Sequence, residues 1–73
     1  MIMKKIDNVE YFDINEIINQ IREMIHQEIS ADEIRGYFEE GIIIGKKIEN
    51  EWYGNQNAIV DLTIELKGNS IEF

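Results

Sequence analysis

The 73-residue chain has no cysteine, so disulfides and thiolate metal sites are excluded outright. It has no proline and no run rich in serine or glycine, so nothing reads as a linker, a low-complexity tract or an internal repeat. Long apolar runs are also missing. The longest aliphatic stretch, Ile42-Ile43-Ile44, is far too short to span a bilayer, and no apolar region follows Lys4-Lys5 as a signal peptide would need. The expectation is a cytoplasmic protein, from a microbe or a phage-infected cell, with no membrane partner. Basic charge is scarce as well. Fifteen acidic residues against seven basic ones give a net charge of −8. Such a surface repels phosphate backbones and anionic membranes in general and favours basic partners.

What the chain does have is isoleucine, sixteen of them, which must supply the core. A chain this short buries roughly 60% of the surface its unfolded form exposes, so it reads as one small domain over residues 1–73 with a thin margin of stability. A partner's surface would widen that margin, which makes a homodimer part of the expectation.

Local patterns divide the chain. Val9, Tyr11 and Phe12 suggest a short strand or an extended arm in residues 1–12. Asp13 followed by Glu16 has the spacing of a helix N-cap with a reciprocal carboxylate. Behind it Ile14, Ile17, Ile18, Ile21, Met24 and Ile25 recur at threes and fours, which predicts an amphipathic helix of about four turns. Ser30 and Glu33 repeat the capping signature and open a second helix that stops at Gly41, with Ala31, Ile34, Tyr37 and Phe38 on its buried side. Gly36 inside that helix costs up to about 1 kcal/mol relative to alanine, and a close helix contact is one explanation of it.

The β-branched segment Ile42 to Ile48, then Glu49-Asn50, then Glu51-Trp52-Tyr53, predicts a hairpin turning at Glu49-Asn50. In that register Lys47 faces Trp52, while Ile44, Ile48 and Tyr53 share the opposite side. Beyond Gly54 two readings stand. Val60, Leu62, Ile64 and Leu66 alternate with polar residues as a strand does, with Gly68-Asn69 turning into Ile71-Glu72-Phe73. Asn57 capping Ala58 to Leu62 gives the helical alternative. Alternation and β-branched content tip the balance slightly toward strand.

From Ser30 to Tyr53 the chain resembles the excisionase/MerR-like winged helix-turn-helix family. The residues carrying the resemblance are Ser30, Ile34, Tyr37, Phe38, Glu40, Gly41, Lys47, Ile48 and Trp52. It covers about a third of the chain. The fold it implies is α+β and winged-helix-like: two helices, a β-hairpin wing, then a C-terminal helix or strand pair. The function it implies is non-enzymatic regulation, with double-stranded DNA bound as a dimer and Arg35, Lys46 and Lys47 as the nucleic-acid contacts. The family tends to place basic residues where this chain has Ala31, Gly36, Glu39, Asn50 and Glu51. Useful DNA binders make about six to ten phosphate contacts, and three cations per protomer fall short of that. The alternative is an acidic module, such as a phage-type, DNA-mimic-like inhibitor. Its Glu33, Glu39, Glu40, Glu49 and Glu51 would meet a basic protein surface.

Catalytic and metal chemistry have little footing here. Glu23 and His26 have the Glu-x-x-His spacing of di-iron carboxylate bundles, but such sites need a second motif and further glutamates. A solvated helix face accounts for the pair better. Ser30 has no evident base and serves as a cap. The pairs Asp32-Glu33 and Glu39-Glu40 diverge around their helix. No cofactor is expected. Trp52 and Tyr53 could stack on bases, but packing over the core is the commoner fate of such a tryptophan.

Overall fold

The structure, a computed structural model, describes residues 3–70, with side chains from residue 5 to residue 68. It is α+β. Strand β1 (Met3–Ile6) and strand β2 (Val9–Asp13) precede helix α1 (Ile14–Ile25) and helix α2 (Ala31–Glu39). Strands β3 (Gly45–Ile48) and β4 (Glu51–Gly54) then lead into helix α3 (Gln56–Ser70). The strands form one antiparallel sheet in the order β1-β2-β4-β3. The most deeply buried side chains are aliphatic and come from all three helices, through Ile17, Ile21, Ile34, Ile59 and Leu62, with Ile43 from the segment after α2; Phe12, Phe38 and Tyr53 complete the core.

The predicted arm at the N-terminus is a hairpin. Asp7 and Asn8 turn it with φ of 53° and 65°, the left-handed pair that a two-residue turn between twisted strands requires. The second hairpin turns at Glu49 and Asn50 with φ of 52° and 68°, as the sequence predicts, and sets Lys47 opposite Trp52. Tyr53 pairs with Lys46 on the other side, together with Ile48; Ile44 lies just before the strand and is 72% exposed.

After Gly54 the chain is helical, and the strand reading is overturned. Asn55, not Asn57, is the cap: its Oδ1 accepts from the Ala58 N–H at 3.0 Å. Ala58, Ile59, Leu62, Thr63 and Leu66 are buried, at helical spacing, while Val60 and Ile64 face outward. Those two exposed β-branched residues produced the apparent alternation. Gly68 and Asn69 continue the helix; Ile71 to Phe73 lie outside the described residues.

The two hairpin–helix units repeat one another, which overturns the reading that the chain has no internal repeat. Lys4-Lys5-Ile6, Asn8 and Tyr11 recur at a constant offset as Lys46-Lys47-Ile48, Asn50 and Tyr53. Both hairpins have the same register: Ile6 with Val9 and Lys5 with Glu10 in the first, Ile48 with Glu51 and Lys47 with Trp52 in the second. Each is followed by a cap, Asp13 or Asn55, whose Oδ1 accepts the N–H three residues on. At the seam between β2 and β4, Phe12 pairs with Gly54, its own counterpart. A pseudo-two-fold axis therefore passes between them. Helix α2 is the addition that breaks the symmetry, and the three helices converge on Gly54. A Cβ there would stand 3.1 Å from Ala58 Cβ, 3.1 Å from Phe38 Cζ and 3.4 Å from Ile17 Cδ1.

Candidate functional site

Helix α1 ends at His26, whose φ of 55° is left-handed and whose N–H reaches the Arg22 carbonyl at 2.9 Å. A single bond of this kind closes a helix at a residue in that conformation. The sole histidine thus acts as a backbone terminator and projects from an exposed position. Arg22 then braces the junction to α2: its Nε and one terminal nitrogen donate to the two carboxylate oxygens of Glu28, at 2.8 and 3.0 Å. These bonds, and the opposite charges, hold the Glu28 carboxyl below its ordinary range and the Arg22 guanidinium above its own. Ile29 follows, buried in the core.

Helix α2 starts on a complete capping box. Ser30 Oγ accepts the Glu33 N–H at 3.1 Å, and Glu33 Oε1 accepts the Ser30 N–H at 3.3 Å. The carboxylate of Glu33 is therefore engaged at the helix start. The other end closes on Gly41 at φ 78°, with Gly41 N–H on the Phe38 carbonyl and Ile42 N–H on the Tyr37 carbonyl. That bond pair is a Schellman ending and fixes where the chain turns toward β3. Gly36 has no close contact, since nothing lies within 4 Å of a Cβ built on it. The contact explanation for this glycine is thereby overturned.

Helix α2 and the β3–β4 hairpin are joined by an aromatic stack. Phe38 is buried, Trp52 is half-buried, and their rings lie parallel with centroids 5.0 Å apart. Lys47 Nζ sits over the indole, 5.7 Å from its centroid. Beside the stack, a shallow cleft of about 300 Å³ is lined by Asp13, Asn15, Arg35, Asn50, Glu51 and Trp52, among others. Asp13 and Asn15 come from the start of α1, and no local spacing signals that they meet the wing. Arg35 donates to Asp32 from within its own helix.

The three expected nucleic-acid contacts do not form one strip. Arg35 shares a cleft with Trp52, whose far side is Lys47 territory, but Lys46 points the other way. It borders a separate recess with Tyr11, Ile44, Asn57 and Asp61. Consecutive strand residues face opposite sides, so Lys46 and Lys47 cannot act as a pair on one surface. Across α2 and the β3–β4 hairpin the exposed charges are Arg35, Lys46 and Lys47 against Asp32, Glu33, Glu39, Glu40, Glu49 and Glu51. No basic residue stands in the last turn of α2 beside Glu39 and Glu40.

Among the described residues no group of three or more histidine or carboxylate side chains is placed to hold a metal ion, and no helix is long and apolar enough to cross a membrane. Comparison with protein-family models, with curated proteins and with solved structures returns no match.

Proposed function

We propose that this chain is a small non-enzymatic regulatory module, winged-helix-like in plan, that binds a basic protein surface through α2 and the wing. The observation that carries this reading is the excess of acid across α2 and the β3–β4 hairpin: six exposed carboxylates against three cations, of which Lys46 faces away from the side of Arg35 and Lys47. Of those cations Arg35 is paired with Asp32 and Lys47 is seated on Trp52. Glu39, Glu40, Glu49 and Glu51 are the contact candidates, whereas Glu33 is engaged in the cap. Carboxylates so arranged meet lysine and arginine with long-range attraction, and binding should weaken with salt.

DNA binding by the same face is the second reading. It is favoured by the order of elements, two helices handing over to a two-stranded wing, and by Arg35 standing across a cleft from Asn50 at the wing turn. One pair of measurements separates them. Capture of partners from lysate, followed by titration of the purified partner, should lose affinity in the Glu39→Gln/Glu40→Gln/Glu51→Gln variant and keep it in Arg35→Ala. A duplex retained at low salt by the wild-type chain, and released by Arg35→Ala, would overturn the protein-binding reading.

A further inference from the structure

The pseudo-two-fold relation leaves the chain with two equivalent grooves and one helix to fill them. The first groove lies between α1 and the β3–β4 hairpin, and α2 occupies it. Phe38 enters over Gly45 and Gly54, and Ala31 and Arg35 wall the cleft at the groove's mouth. The second groove lies between α3 and the β1–β2 hairpin. Its mouth is lined by Asn55, Gln56, Asn57, Asn8, Val9 and Glu10. These are the counterparts, residue for residue, of Asp13, Ile14, Asn15, Asn50, Glu51 and Trp52 around the first mouth. Among the described residues no helix stands beside this mouth, which measures about 460 Å³ against about 300 Å³ for the first.

Val9 stands at this mouth, and Val60 and Ile64 follow Gln56 at helical spacing along α3. Val9 is 40% exposed, Val60 40% and Ile64 63%. The counterpart of Val60 on α1 is Ile18, which is half-buried against the core. Ile14, one turn before Ile18, lines the first mouth with Ala31 and Arg35 of α2, so the side of α3 that holds Val60 repeats the side of α1 nearest α2.

We propose that the groove between α3 and the first hairpin docks an amphipathic helix from a partner protein, with an aliphatic inner stripe and a basic outer face. A helix is the fitting occupant because a helix fills the equivalent place on the other unit. Its inner stripe is aliphatic because Phe12 stands where the second hairpin has Gly54. A Cβ on Gly54 would stand 3.1 Å from Phe38 Cζ, so the buried Phe12 side chain at the equivalent position leaves no room for a second aromatic plug. The outer face is basic because the groove's own rim is near balance, with Lys5 opposite Glu10 in register, while the whole chain carries −8. At range that field attracts a cationic helix and repels an acidic one. This surface is distinct from the face of α2 and the wing.

The test is a titration of the uniformly ¹⁵N-labelled full chain with a synthetic amphipathic peptide of leucine and lysine at helical spacing. Amide shifts are expected to cluster at Asn8 to Glu10, Asn55 to Asn57 and Val60 to Ile64. The double variant Val60→Lys/Ile64→Lys should keep its circular dichroism, because both residues are exposed, and should bind about tenfold more weakly or worse. The variant Glu39→Gln/Glu40→Gln, on the other face, should bind with unchanged affinity. Shifts confined to α2 and the wing, or no shifts at saturating peptide, would overturn the proposal. So would concentration-dependent shifts of the same residues without peptide, which would mean that a second copy covers the groove.

Discussion

The indole of Trp52 lies parallel to the phenyl ring of Phe38, and these two rings are the joint between the second helix and the second hairpin. Each is placed by its own element: Phe38 by the Schellman ending that follows it, Trp52 by its pairing with Lys47 across the hairpin. Aromatic pairs of this kind contribute about 0.5–1.5 kcal/mol beyond the area they bury.

The two rings should differ sharply in what their loss costs. Phe38 is 4% exposed, and truncation to alanine is expected to cost about 3 kcal/mol or more, a large share of the stability of a small domain. Trp52→Leu, at a half-buried position, should cost about 1–2 kcal/mol and leave the fold intact. Urea denaturation followed by circular dichroism checks both, with Trp52 fluorescence as a second probe of the Phe38 variant.

Gly45 and Gly36 are expected to respond to alanine with opposite signs. A Cβ on Gly45 would collide with the Phe38 ring and stand 2.5 Å from the Tyr53 carbonyl oxygen, so β3 or α2 must move. Overpacking of this kind costs about 1–3 kcal/mol. Gly36→Ala meets open space inside a helix and should stabilise by about 0.5–1 kcal/mol. Midpoints of thermal unfolding moving in the same direction for both variants would contradict this account.

His26 holds a left-handed conformation that is costly for a residue with a side chain. His26→Gly is expected to raise stability by about 1 kcal/mol, and His26→Val to lower it. Helical content by circular dichroism should stay the same in the glycine variant, since the turn itself is preserved.

The Arg22–Glu28 bridge predicts a pH effect of definite sign. The hydrogen bonds from Arg22, and then its charge, lower the Glu28 carboxyl, with desolvation opposing weakly. A carboxyl lowered in the folded state adds stability above the ordinary carboxylate range and loses it as pH falls through its lowered value. Arg22 is moved upward and stays charged throughout that window. Carbon-detected NMR titration should find Glu28 below the ordinary carboxylate range, and Arg22→Gln should return it there.

Much of the second half of the chain was legible because its signals are local. Ser30 with Glu33, Gly41, and the Glu49-Asn50 turn with Lys47 facing Trp52 all depend on neighbours within a few residues. The first hairpin was missed although Asp7-Asn8 is the better turn, because its strands alternate poorly and Val9 faces solvent. Helix α3 was obscured by Val60 and Ile64, apolar residues on its outer side. The repeat is faint in the sequence because its matches are spaced out along turns, caps and edges. The cleft between Arg35 and the wing is a tertiary product, for Asp13 and Asn15 reach it only once α1 folds back over the sheet.

The seam between β2 and β4 joins the two units through only Phe12 with Gly54 and Asp13 with Tyr53, residues far apart along the chain. Each hairpin closes on a two-residue turn and can form early, whereas the seam must wait for a long loop to close. Assembly is then two quick local events and one slow union. Gly54→Ala, crowding the point where that union is made, should slow refolding more than it hastens unfolding in stopped-flow kinetics. The residue that gives the core its meeting place would thereby also set the tempo at which the protein is made whole.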